Sequence, residues 1–239
     1  MPTALVTGAS RGLGRALAGS LAADGWTVVI DGRDRIALET ARREMGGRVT
    51  AASGGRVIAV VGDVTDPTHR SELSVAVEEA GRLDALVNNA GGLGPSPRPA
   101  LADYPLEALE ELYRHNVAAP LGLIQVLLPI LRRSHGRIIN VTSDAAVEAY
   151  EGWGGYGSSK AALEAITAVL AAEEPGLRVY AADPGDLRTD MHQAAFPGED
   201  ISDRPLPAAA VPGLRRLLED DLPSGRYRVA DLASAQAAK

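Results

Sequence analysis

Leu5-Val6-Thr7-Gly8-Ala9-Ser10-Arg11-Gly12-Leu13-Gly14-Arg15-Ala16-Leu17 passes from an apolar β-type start, through three glycines, into helix-forming residues. A glycine-rich turn at such a junction lets backbone N–H groups approach an anion at a helix N-terminus, where the peptide dipoles also favour negative charge. Bulky side chains would block that approach. The spacing Gly-x-x-x-Gly-x-Gly differs from the Gly-x-Gly-x-x-Gly template and from the phosphate loop ending Gly-Lys-Ser/Thr. Taken alone, the stretch also reads as a plain turn between a strand and a helix.

Outward from this stretch, apolar strand-like runs recur between amphipathic ones, the pattern of βαβ units around a parallel sheet. The runs predict strands near 3–7, 26–30, 56–61, 83–88, 136–142, 177–182 and 226–230. Helices are predicted near 13–23, 34–45, 67–80, 105–133, 156–173 and 208–220. No repeat, low-complexity tract or long linker divides the chain, so 1–239 read as a single α/β domain, a doubly wound parallel sheet with helices on both faces. Gly46 to Gly55 reads as a loop. The proline- and acid-rich segment Phe196 to Pro212 interrupts the alternation, and 192–220 are expected to form a substrate lid.

Composition excludes several classes. Lys and Arg number 24 against 31 Asp and Glu, a net charge of −7, which argues against a general nucleic-acid surface. Any phosphate site must then be a local cationic feature. Without cysteine there is no disulfide framework or thiolate metal site, and no metal is expected. Met1-Pro2-Thr3 leads straight into the first strand, leaving no basic leader, and the apolar runs stop well short of a membrane span. The expectation is a cytoplasmic protein without nucleic-acid or membrane partners.

The predicted strand ends carry the polar residues. The second ends Val28-Val29-Ile30-Asp31-Gly32-Arg33-Asp34-Arg35. In a dinucleotide-binding sheet an acid here hydrogen-bonds a ribose 2′-OH, and an arginine accommodates a 2′-phosphate. A charged helix cap is the plainer alternative, and it accounts for Asp34 better than for Arg33. The third strand ends Gly62-Asp63-Val64, and the fourth runs into Asn88-Asn89-Ala90-Gly91-Gly92. Open α/β sheets bind ligands at such ends, although Asn-Asn-Ala-Gly by itself is an ordinary turn.

In the long fifth helix, Pro120 has no N–H for the carbonyl of Asn116, four residues earlier. The freed carbonyl can hold a water. The alternative is a bend with a solvated Asn. The next strand, Gly136-Arg137-Ile138-Ile139-Asn140-Val141-Thr142-Ser143, ends in two hydroxyls, and Tyr156 and Lys160 follow at helical i,i+4 spacing. Such a pair lies on one helix face, and a lysine ammonium there favours phenolate. Acid–base work near neutrality asks for a tyrosine shift of about 3 units, or about 4 kcal/mol. An exposed Tyr/Lys pair on an amphipathic helix would look the same.

Together these residues resemble the short-chain dehydrogenase/reductase family in its compact, one-domain, Rossmann-like form, over about Thr3 to Met191. The resemblance implies a coenzyme loop of Gly8, Ser10, Arg11, Gly12, Leu13 and Gly14. It implies an adenine-contacting turn at Asp63-Val64, a segment behind the adenosine ribose at Asn89-Ala90-Gly91, and a nicotinamide-side segment with Pro184, Gly185 and Thr189. It places Asn116, Ser143, Tyr156 and Lys160 on the family's catalytic tetrad. The implied activity is hydride transfer between a nicotinamide coenzyme and a small carbonyl or alcohol substrate. Tyr156 would be the acid/base, Ser143 the donor to the substrate oxygen, Lys160 the holder of the nicotinamide ribose, and Asn116 the keeper of the proton-relay water. A dinucleotide-binding regulator without catalysis is the alternative, and dehydration or epimerisation on the same fold a third.

The position that holds the discriminating acid in NAD-using relatives is occupied here by Gly32, one residue after Asp31. Neighbouring strand residues face opposite ways, so Asp31 is not expected to face the ribose squarely. Arg33 and Arg11 then favour NADP(H) over NAD(H). Asp183 and Asp186 bracket Pro184-Gly185 and make this turn more acidic than the family's, which bears on substrate choice. Trp153, Tyr150 and Phe196 are candidate pocket walls. Apolar residues on several faces of the helices near 105–133 and 156–173 suggest burial on two sides. The family pairs these helices across a two-fold axis, so at least a homodimer is expected. The poor match beyond Phe196 leaves a tetramer open.

Overall fold

The computed structural model describes residues 1–47 and 55–237. The first half alternates β1 (Thr3–Val6), α1 (Gly12–Ala23), β2 (Thr27–Gly32), α2 (Arg35–Gly46), β3 (Arg56–Val61), α3 (Pro67–Glu79) and β4 (Ala85–Asn88). Next come α4 (Leu106–Tyr113), α5 (Ala119–Ser134), β5 (Arg137–Val141), α6 (Gly154–Glu173) and β6 (Arg178–Asp183). The chain ends with α7 (Asp190–Ala195), α8 (Val211–Glu219), β7 (Gly225–Arg228) and α9 (Val229–Ala237). Most of the loop read between Gly46 and Gly55 lies outside the described residues.

The strands form one seven-stranded sheet in the order β3-β2-β1-β4-β5-β6-β7, with every pairing parallel. The order reverses between β1 and β4, so the chain leaves these neighbours towards opposite flanks and opens a crevice at their C-terminal ends. Alternation along each strand splits the core in two. Val6, Ile30, Val87 and Ile139 pack with α1, α2 and α8 on one face; Leu5, Val29, Leu86 and Ile138 pack with α3 and α5 on the other.

Three features depart from the sequence reading. The helix expected at 105–133 contains a π-helical turn at Arg114–Ala118, just before Pro120. Proline offers no N–H to close an α-type bond onto Asn116, and the wider turn absorbs the mismatch. Second, Leu106–Ser134 is long and apolar enough to cross a bilayer, although its apolar runs were expected to stop short of that; Leu123, Ile124, Leu127 and Leu131 are instead buried against the sheet. Third, α7 and α9 had not been anticipated. In the span 192–220, α8 packs Leu214, Leu217 and Leu218 into the core beside α1. Only the segment before it, including Leu206, Pro207 and Ala208, borders the crevice.

Candidate functional site

The crevice is a cleft of about 1190 Å³ across the C-terminal ends of the strands. Of the site residues predicted from sequence, all but Gly14 and Asn116 line it. Gly14 serves packing: a Cβ there would sit 2.5 Å from Asn89 Nδ2 and 2.7 Å from the Gly8 carbonyl. Asn89 Nδ2 donates to the Thr7 and Gly8 carbonyls at 2.8 and 3.2 Å, and the Thr7 hydroxyl accepts from the N–H groups of Asn89 and Ala90. The end of β4 thereby fixes the glycine loop. Gly8 and Gly12 both adopt positive φ (64° and 58°), which side-chain-bearing residues rarely take. Arg11, at the N-cap of α1, makes no side-chain cap, so the start of the helix borders the cleft uncovered. Across from it, a Cβ at Gly12 would lie 3.7 Å from Thr189, which caps α7 by accepting from the His192 N–H.

At the far end of the loop, Arg33 lies 3.7 Å from Asp63 Oδ2. Burial works against the charge of Asp63, but hydrogen bonds from Thr65, with His115 and Arg33 nearby, hold its carboxyl below the ordinary range. The Arg11 guanidinium is engaged by Asp190 at 3.0 Å at the start of α7, not beside Arg33.

The chemical end of the cleft is built by β5 and α6. Ser143 follows β5, and its hydroxyl donates to Asp144 Oδ1 at 2.9 Å while accepting from the Ala145 N–H. Tyr156 stands in the first turns of α6, and Lys160 one turn on, its Nζ 5.6 Å from the phenol ring centroid. Lys160 is 5% exposed, donates to the Val141 carbonyl at 2.9 Å, and is pulled down by burial to about 8. Burial pushes the Tyr156 phenol well above its ordinary value; the Ser143 hydroxyl pulls it back, while Asp183 and Asp144 push it further. This is the reverse of the downward shift expected from the pair alone. Burial outweighs the Ser143 hydrogen bond, and the phenol holds its proton at neutral pH.

Asn116 is buried, and its side chain is spent on structure. Its Oδ1 accepts from the Gly92 N–H, and its Nδ2 donates to the Gly92 carbonyl and to Ser159 Oγ. Asn116 itself stands behind the cleft lining, in the π turn. Asp183 also lines the cleft, but it is held from beneath: it is 5% exposed, accepts from the Gly185 N–H and pairs with Arg226 at 3.0 Å. Asp186 does border the cleft, 3.7 Å from His192. Trp153 forms a wall, its ring edge-on to Tyr156 with centroids 5.7 Å apart. Phe196 backs Trp153 at 6.0 Å, and the Arg98 guanidinium lies 4.1 Å above the indole. Tyr150 is displaced from the wall, its hydroxyl donating outward to Asp144.

Sequence reasoning missed Arg226. From β7 it donates to Glu164, to Asp183 and to the Ser143 carbonyl, beneath the chemical end of the cleft. No local signal marks it, since its partners lie 43 to 83 residues away.

A doubly wound parallel sheet, a glycine loop at its crevice and a Tyr/Lys pair beside it define a dinucleotide-dependent oxidoreductase of the Rossmann type. Family comparison narrows the class: the short chain dehydrogenase model matches residues 2–200, and the chain belongs to that family. A benzil reductase ((S)-benzoin forming) of Saccharomyces cerevisiae is 34% identical, with 79% of this chain and 73% of the relative covered. A diacetyl reductase [(S)-acetoin forming] of Staphylococcus epidermidis is 35% identical, over 79% of this chain and 72% of its own. A short chain dehydrogenase of Shigella flexneri solved in complex with NADP superposes with a TM-score of 0.88 at 30% identity, covering 95% of this chain and 96% of that one.

Proposed function

We propose that this protein is an NADP(H)-dependent reductase of small ketones or aldehydes, running in reverse as an alcohol dehydrogenase. The observation that carries the reading is the convergence of Ser143, Tyr156 and Lys160 with the glycine loop in one cleft. The cradle fits a dinucleotide: the glycine loop and the uncapped start of α1 suit a pyrophosphate, and Arg33 suits a 2′-phosphate. NADPH, when bound, supplies the hydride. Ser143 holds the substrate oxygen and stabilises the charge that develops on it. Tyr156, which rests protonated, delivers its proton to that oxygen. Lys160 holds the nicotinamide ribose and steadies the phenolate left behind. A water on the Asn116 carbonyl returns the proton from solvent. The segment 192–208 acts as the lid, clasped to the loop after β4 by the Ser96 hydroxyl on the Ala194 carbonyl and by Arg98 on the Ala195 carbonyl.

Assay of a ketone and aldehyde panel with NADPH tests the reading. The panel begins with benzil and diacetyl, the vicinal diketones named for the two relatives. Absence of NADPH oxidation across it would count against the proposal. Arg33→Ala is expected to lower the NADPH over NADH ratio of kcat/KM about tenfold, the worth of one charge-assisted hydrogen bond. An unchanged ratio would remove Arg33 from the site.

The working unit is a homodimer. Val126 on α5 and Val169 on α6, 41% and 56% exposed, are apolar side chains left uncovered on the two helices that the family pairs across a two-fold axis. Sedimentation equilibrium at micromolar concentration should give twice the chain mass, and a monomer would refute the pairing.

A further inference from the structure

Asp31, the acid at the end of β2, is already occupied. It is 1% exposed, its Oδ1 accepts from the Gly8 N–H at 2.6 Å, and its Oδ2 lies 3.2 Å from His69 Nε2. His69, in the first turn of α3, is 3% exposed, with its other ring nitrogen 3.5 Å from Glu72. The ring occupies the space left by the absent side chain of Gly62, where any Cβ would run into it. Burial raises the Asp31 carboxyl, and the hydrogen bonds from His69 and Gly8 pull it back. For His69 burial acts downward, but Asp31 and then Glu72 outweigh it and raise the imidazole above its ordinary value. The other charged groups near this corner are Asp63, Arg33 and His115, of which Asp63 holds the latter two at 3.7 and 3.8 Å. A buried carboxylate persists only when paired, and loss of its partner leaves a charge that must protonate or move.

We infer that His69 is a positioning residue for coenzyme choice: by holding Asp31 inward against Gly8, it withdraws the acid from the ribose and leaves a 2′-phosphate to Arg33. The inference rests on the NADP(H) reading. Asp31 turned outward would accept from a ribose 2′-OH and repel a 2′-phosphate. The chain would then favour NAD(H) without any change at Arg33. Gly62, His69 and Asp31 thus form one device, spread over the ends of two strands and the start of a helix.

Fluorescence titration gives the dissociation constants of NADPH and NADH without any substrate. Wild type is expected to favour NADPH. In His69→Asn, whose amide does not reach Asp31, the preference should fall about tenfold or more. His69→Gln places its amide nitrogen as far out as Nε2 and should keep the preference within about threefold of wild type. Asp31→Asn/His69→Asn should restore it, because no acid remains to face the phosphate. A purely structural role predicts that Gln fails like Asn and that the double variant stays low; either result overturns the inference, as does an unchanged preference in His69→Asn. Should His69→Asn not fold, Asp31→Asn alone decides. A preference within about twofold of wild type supports an inward acid, and a larger rise overturns it. Wild type binding neither dinucleotide, or favouring NADH, would instead sink the NADP(H) reading itself.

Discussion

Tyr156→Phe is expected to lower kcat by about 10³-fold, in the range general acid–base catalysis supplies, while the affinity for NADPH stays near wild type. The change removes one hydroxyl. The ring keeps its edge-on contact with Trp153, and the coenzyme loop is untouched. Lys160→Met should damage both quantities, because Nζ is buried at the cleft floor, where the proposed mechanism gives it the ribose as well as the phenolate. Measured side by side, the two variants separate proton donation from coenzyme holding. A Tyr156→Phe enzyme that keeps most of its activity on a verified substrate would show that the proton comes from elsewhere.

Arg226→Met is expected to cost about 3 kcal/mol of stability, the low end of what breaking a buried ion pair costs, and to lower activity together with it. The substitution leaves Asp183 and Glu164, whose side chains are 6% and 16% exposed, without their cation. It also releases the Ser143 carbonyl, so the hydroxyl assigned to the substrate oxygen in the proposed mechanism loses an anchor from beneath. Arg226→Lys should recover part of the loss only, since a single ammonium lacks the fork that spans Glu164 and Asp183. Urea unfolding reads the stability, and a loss below about 1 kcal/mol would reduce the network to a surface contact.

Much of this was written locally. The central strands β1, β2, β4, β5 and β6 announce themselves because each is a largely apolar run buried on both faces, and the helices because they alternate with those runs. The site residues that sit at strand ends or in α6 were legible for the same reason: their roles follow from position along a predictable element. Parity along β2 turns Asp31 away from the face of Gly32, and its carboxylate is buried against Gly8 and His69. What holds it inward, His69, lies 38 residues away, and no pattern joins the two. Arg226 escaped because its strand was placed only approximately and its partners come from β6 and α6. The pairing of Asp183 was hidden by that gap, since an acid beside a ligand turn looks free until its cation is located. The rise that burial imposes on Tyr156 was not legible, because spacing reveals a neighbouring charge and conceals burial.

The separation of framework from chemistry bears on how such a protein changes over time. Val6 and Val87 stand at or beside the ends of their strands inside the core, while Gly8 and Asn89, two residues further on, border the cleft. The crevice exists because the strand order reverses between β1 and β4, and no side chain has to be there to hold it open. Trp153, Met191 and Leu206 on its rim can therefore be exchanged with little penalty to folding, as residues on loops over a rigid scaffold generally can. Substrate preference is thus free to drift under selection while the sheet stays fixed, and the rim, rather than the floor, is where a library aimed at new specificity belongs.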